Sequence, residues 1–143
     1  MPPMKLAILT NVITPYRAIL FNCLAGHPEI NLAVILLSRR DNRHDWHPSD
    51  CLLNCKVITL PGITVWHGLQ NYPLYLNPGV IRAIRQEAPD VLVCGGYDSP
   101  TFWVAIGYAR YRQIRLVLWS ESTKADRRNH AWLTALIKRK LGL

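Results

Sequence analysis

The chain has 143 residues, 50% hydrophobic and 18% charged. That suits a single domain with one core and excludes a disordered chain. No apolar run approaches the roughly 20 residues that cross a bilayer, and the start, Met-Pro-Pro-Met-Lys, has no signal-peptide regions. The net charge of +8 is concentrated late: from Arg110 onward nine Lys/Arg stand against only Glu121 and Asp126. Such an end suits nucleic acid, anionic lipid or a phosphorylated ligand, and sign alone does not choose among them.

The first unit, Met4–Gly26, organises the rest. Lys5–Thr10 is an apolar run of strand length, and Thr14-Pro15 has the form of an N-cap followed by proline at the first helical position. Tyr16, Ile19, Leu20, Cys23 and Leu24 then recur at helical spacing as an apolar stripe, and Gly26 supplies the stop. Strand, polar loop and helix open a doubly wound α/β domain, so the loop Asn11–Arg17 is expected in a binding crevice. It contains no glycine and is not a dinucleotide fingerprint; no cofactor is expected.

Asn31–Leu37 is a continuous apolar run, as in a parallel strand buried on both faces. Ser38–Cys55 reads as polar and irregular, Lys56–Leu60 as a third strand closed by Pro61-Gly62, and Ile63–Leu76 as a second irregular segment. Asn77-Pro78 caps a helix reaching about Glu87, with Val80, Ile81, Ile84 and Ala88 on one side. Val91–Cys94 is the fourth strand, followed by the loop Gly95-Gly96-Tyr97-Asp98. Ser99-Pro100 repeats the cap-plus-proline device before a helix of about Thr101–Arg110, apolar nearly all round. Leu116–Trp119 is the fifth strand. A last helix begins near Asp126, with Trp132, Leu133, Leu136, Ile137 and Leu141 on one face. Right-handed crossovers give a parallel sheet of order 3-2-1-4-5. The ending on a helix, with no sixth strand, looks like a truncation within residues 1–143, a single Rossmann-like domain.

Three loops leave strand carboxyl ends with unusual polar groups: Asn11–Arg17, Gly95–Ser99 and Ser120–Asp126. In this topology they converge, and a polar ligand is expected between Arg17, Tyr97, Asp98, Glu121 and the amides of helix starts. Each residue also has an ordinary reading: a solvated Arg17, a turn-forming Asp98, an ion-paired Glu121. Gly95-Gly96 lets a backbone approach a ligand closely but also simply makes turns. His44, His47, Cys51 and Cys55 carry metal-ligating chemistry, yet their spacing matches no standard structural-zinc pattern and Pro48 interrupts any helix aligning them. No metal is expected. Four cysteines at irregular spacing do not form a disulfide framework; Cys23 on the helix stripe and Cys94 in a strand are expected as buried thiols of a cytoplasmic protein. There is no G-x-S-x-G elbow, Walker loop or H-E-x-x-H, and the aromatics do not form a base-stacking platform, so no nucleic-acid partner is expected.

Four stretches together resemble the N-terminal domain of a retaining family-4 glycosyltransferase of the GT-B fold: ILTNVITPYRAILFNCLA, RHDWHPSD followed by VITLPG, PDVLVCGGYDSPTFWVAIGYAR, and LWSESTKADRR. Their order and spacing carry the likeness along nearly the whole chain. The resemblance implies an acceptor-binding domain whose nucleotide-sugar donor is held by a second, C-terminal Rossmann-like domain missing here, with a glycan or lipid-linked acceptor. Many relatives place a histidine after the fourth strand; here Tyr97 or Asp98 stands there as the candidate catalytic group. The matching acceptor-side positions are Asn11, Thr14, Tyr16, Arg17, Gly95, Gly96, Ser99 and Glu121. A chain lacking the donor domain is expected to be inactive alone. Peripheral contact of the basic end with the inner face of a membrane is a second expectation, and a stand-alone, non-catalytic α/β binding module is the competing reading.

Overall fold

The computed structural model describes residues 2–38, 53–67, 72–97, 99–119 and 139–140. Five strands form a parallel sheet: β1 (Met4–Thr10), β2 (Ile30–Leu36), β3 (Lys56–Thr59), β6 (Val91–Cys94) and β7 (Arg115–Leu118). Two others, β4 (Ile63–His67) and β5 (Tyr72–Leu76), form a separate antiparallel pair. The helices are α1 (Pro15–Ala25), α2 (Val80–Glu87) and α3 (Pro100–Tyr111). The sheet order is β3-β2-β1-β6-β7, which is the 3-2-1-4-5 arrangement expected of a doubly wound Rossmann-like fold.

The alternation of side chains along β1 assigns the two faces. Leu6 and Ile8 pack with Ala18 and Phe21 of α1 and with Leu32 and Val34 of β2. Ala7 and Leu9 pack on the opposite face with Ile84 of α2 and with Phe102, Ala105 and Ile106 of α3. Burial on both faces explains why β1 and β2 are apolar runs rather than alternating sequences. Among the described residues no helix is long and apolar enough to cross a membrane.

Four local expectations are corrected. The segment 63–76 is not irregular: Ile63 pairs with Leu76 and His67 with Tyr72 across β4 and β5. Helix α1 turns its expected stripe outward, leaving Tyr16 54%, Ile19 68% and Leu20 43% exposed and Cys23 exposed, while Ala18 and Phe21 face the sheet. The helix is apolar on most sides, and the face carrying Phe21 packs on the sheet. In α2 the buried side chains are Val80, Ala83 and Ile84; Ile81 is exposed, and Gly79 rather than Asn77 occupies the N-cap. Finally, Thr14 and Ser99 do occupy N-cap positions, but neither side chain bonds to its own helix.

Asn77 instead serves a buried role. Its side-chain Nδ2 donates to the carbonyls of Leu37 at 3.0 Å, Leu60 at 3.3 Å and Pro61 at 3.4 Å. Its backbone N–H donates to Thr101 Oγ1 at 2.9 Å, and Tyr75 N–H donates to Ser99 Oγ at 3.1 Å. The Thr101 hydroxyl has acceptors at Tyr75 O, 2.9 Å, and Asn77 Oδ1, 3.1 Å, and its one proton serves one at a time. Buried polar groups need such partners, and here they tie β5 to α3 and to the ends of β2 and β3. Gly62 completes the joint: a Cβ there would lie 2.4 Å from both Asn77 Nδ2 and Leu76 O.

Candidate functional site

From β1 the chain runs to β2 and β3 on one side of the sheet, then returns to β6 and β7 on the other. The order therefore reverses between β1 and β6, and the loops leaving their carboxyl ends, starting at Asn11 and Gly95, flank the place where such folds bind ligands. The ladder continues past the strands: Gly95 N–H donates to Leu9 O at 2.7 Å and Trp119 N–H to Cys94 O at 2.8 Å. A Cβ on Gly95 would sit 3.2 Å from Leu9 O and 3.3 Å from Thr10 Oγ1, so the glycine permits a close seat against β1.

Arg17, in the first turn of α1, crosses this end of the sheet. Its Nη1 donates to Thr10 Oγ1 at 2.6 Å, and its guanidinium carbon lies 4.9 Å from the centre of the Trp119 ring. The Tyr16 ring is 5.9 Å away. Stacking on an indole suits a planar, delocalised cation and fixes its orientation. Arg17 thus joins the β1 exit to the β7 exit. No acidic residue occupies the first turn of α1, so the positive end of the helix dipole and Arg17 act in the same sense.

Two buried oxygens of the loop between β1 and α1 have no hydrogen-bond partner among the described residues: Asn11 Oδ1 and Thr14 Oγ1. A buried oxygen left without any partner costs about 1–3 kcal/mol, so each of these calls for a donor. Gly95, Gly96 and Tyr97 are half-buried on the facing loop. The Tyr97 carbonyl accepts from Trp103 Nε1 at 2.6 Å, which fixes that loop to α3.

The expected residues therefore divide. Arg17 and Gly95 both meet Thr10 at the end of β1, and Asn11 and Thr14 lie on the loop between β1 and α1. Tyr16 is on the exposed side of α1, where its ring still flanks Arg17. Ser99 is fully buried and its hydroxyl accepts the Tyr75 amide, so it supports the loop from beneath. Asp98 and Glu121 lie outside the described residues, as do His44, His47, Cys51 and nearly all of the last helix. Neither a family profile nor a curated protein sequence matches the chain.

Of the thiols, Cys94 is buried and desolvation pushes it up to about 12, while burial also raises Cys55. Cys94 is accordingly a packing residue, not a nucleophile. Among the described residues no group of three or more His, Cys, Asp or Glu is arranged to hold a metal ion. The sequence reading missed Thr10 and Trp119 as site residues. Their signal was positional, since both stand at the carboxyl end of a strand.

Proposed function

We propose that this chain is the acceptor-binding half of a glycosyltransferase, which positions a glycan or lipid-linked acceptor for sugar transfer from a nucleotide-sugar. The observation that carries the reading is the group at the sheet reversal: Arg17 stacked on Trp119 and bonded to Thr10, next to the buried oxygens Asn11 Oδ1 and Thr14 Oγ1. A hydroxylated acceptor supplies both donors and acceptors for such oxygens, and a cation beside them suits phosphate or developing negative charge. The resemblance of the four sequence stretches to a retaining family-4 enzyme names the reaction.

Transfer of this kind rests on positioning and electrostatics more than on a protein nucleophile. Tyr97 and Asp98 are the groups assigned to the reacting centre, and the donor diphosphate is assigned to a second domain. We place the protein in the cytoplasm, touching the inner face of the membrane when its acceptor is lipid-linked.

The test is binding by the purified chain to two panels: neutral and lipid-diphosphate-linked sugars, and nucleotide-sugars. Acceptor-type ligands should bind and lose affinity at least about tenfold in Arg17→Ala and Asn11→Ala, the scale of one or two hydrogen bonds. Nucleotide-sugar binding that is tight and indifferent to these substitutions, with no acceptor binding, overturns the proposal.

A further inference from the structure

Beside the sheet reversal, on the same edge of the sheet, lies a second concavity. Strands β2 and β3 end together, with Leu36 opposite Thr59 and Leu60 N–H donating to Leu36 O at 2.9 Å. The chain then turns at Pro61-Gly62 into β4. Between these exits is a cavity of about 490 Å³, bounded by Leu37 and Ser38 just after β2, Thr59 to Gly62 at and after the end of β3, and Thr64 of β4. That volume falls within the range of small-molecule sites, roughly 300–1,000 Å³.

Its chemistry is narrow. None of the described lining residues is ionisable. Ser38, Thr59 and Thr64 bring three hydroxyls, each both donor and acceptor, while Leu37, Leu60 and Pro61 supply apolar surface. Among these described residues a charged ligand finds no opposite charge to offset its desolvation. A sugar ring, with hydroxyls at its rim and C–H groups on its faces, matches both kinds of surface.

The cavity is also built rather than incidental. The Asn77 side chain holds three of its backbone carbonyls, those of Leu37, Leu60 and Pro61, and Gly62 has no room for a side chain. A wall fixed in this way loses little entropy when a ligand arrives. It is joined to the crevice as well: Ser38 N–H donates to Asn11 O at 3.0 Å, at the start of the loop that carries Arg17.

We propose that this cavity is a subsite for an uncharged sugar unit, holding the acceptor residue next to the one that reacts in the crevice. The inference rests on the acceptor-binding reading and assigns that acceptor at least two units. The experiment is amide chemical-shift mapping of the 143-residue chain with lactose, maltose, cellobiose and chitobiose, and with glucuronic acid as a charged comparison. One or more neutral disaccharides should shift Ser38, Thr59, Gly62 and Thr64 saturably. The near-isosteric double variant Thr59→Val/Thr64→Val, with unchanged shifts elsewhere, should weaken that binding at least about fivefold, as the loss of two hydrogen bonds requires. Shifts confined to Asn11–Arg17 and Gly95–Tyr97 would leave the acceptor reading standing and overturn the subsite. Shifts confined to the cavity would keep the subsite and overturn the crevice. Tighter binding of glucuronic acid there, or no shift with any disaccharide, also overturns the subsite.

Discussion

Replacing Asn77 should be among the most damaging single changes in the described core. Its carboxamide has two N–H protons for three carbonyls, so the full bonds are those to Leu37 and Leu60, and the longest, to the more exposed Pro61, is shared. Asn77→Ala strips both buried carbonyls of their donor. At about 1–2 kcal/mol for each orphaned acceptor, the expected loss is about 2–4 kcal/mol. Against a total of about 5–15 kcal/mol for a domain, that is a large fraction, and it should lower the urea midpoint by about 1–2 M. Asn77→Asp is the sharper probe. It keeps the shape but turns a carboxylate toward carbonyl oxygens, so at neutral pH it should be worse than alanine. The folded state then holds this carboxyl above its ordinary pKa. The penalty is present above that raised pKa and shrinks as pH falls, because the protonated acid regains one donor. Asn22→Ala is the control: its Oδ1 accepts Asn54 N–H at 2.9 Å on the exposed surface, and its loss should cost below about 0.5 kcal/mol. A cost under about 1 kcal/mol for Asn77→Ala, or an aspartate variant no worse than alanine at pH 7, refutes the assignment of these bonds.

Three further outcomes are expected. Leu6–Thr10, central in the sheet, should show the slowest amide exchange and the edge strand Lys56–Thr59 faster exchange; the reverse order would contradict the topology. With a thiol-reactive aromatic disulfide at pH 8, exposed Cys23 should react at once and Cys94 only on unfolding, since its pKa near 12 keeps it protonated; the contribution of the buried thiol is complete below its unfolded value near 9 and is lost as pH rises toward 12. The purified chain should transfer no sugar from any nucleotide-sugar, and turnover that copurifies with the chain and disappears in Arg17→Ala would contradict the assignment of donor binding to another domain.

The sheet was legible because its evidence is redundant. Each parallel strand is an apolar run bounded by polar or turn residues, and right-handed crossovers leave few orders to choose from. The β4–β5 pair was not legible: Ile63–His67 and Tyr72–Leu76 do not form an isolated hairpin signal, and they depend on contacts with Ser99 and Thr101, distant in sequence. The same holds for Asn77, whose Asn-Pro context imitates a helix cap while its side chain bridges Leu37 and Leu60. At the candidate site, topology announced the loops, and Arg17 was named from its place in one. The indole beneath it was not, because Trp119 reads as the last apolar residue of a strand.

The orientation of α1 and the position of Arg17 are one fact seen twice. With about 100° of rotation per residue, Tyr16, Ile19, Leu20 and Cys23 centre on a direction about 110° from Arg17. Ala18, Phe21, Leu24 and Ala25 centre within about 50° of it. Had the first set faced the sheet, Arg17 would have pointed out of the crevice. Burying Phe21 and Ala18 brings Arg17 in, over Thr10 and against Trp119. A stripe packed on the sheet and an arginine in the crevice were therefore incompatible expectations on a single helix, and the helical wheel alone separates them. Phe21 decides between the two: fully buried among Leu6, Ile8, Leu32 and Val34, it anchors the helix in the rotation that delivers the cation to the carboxyl end of the sheet. The packing residue and the site residue stand four positions apart, one turn, on the same face of α1.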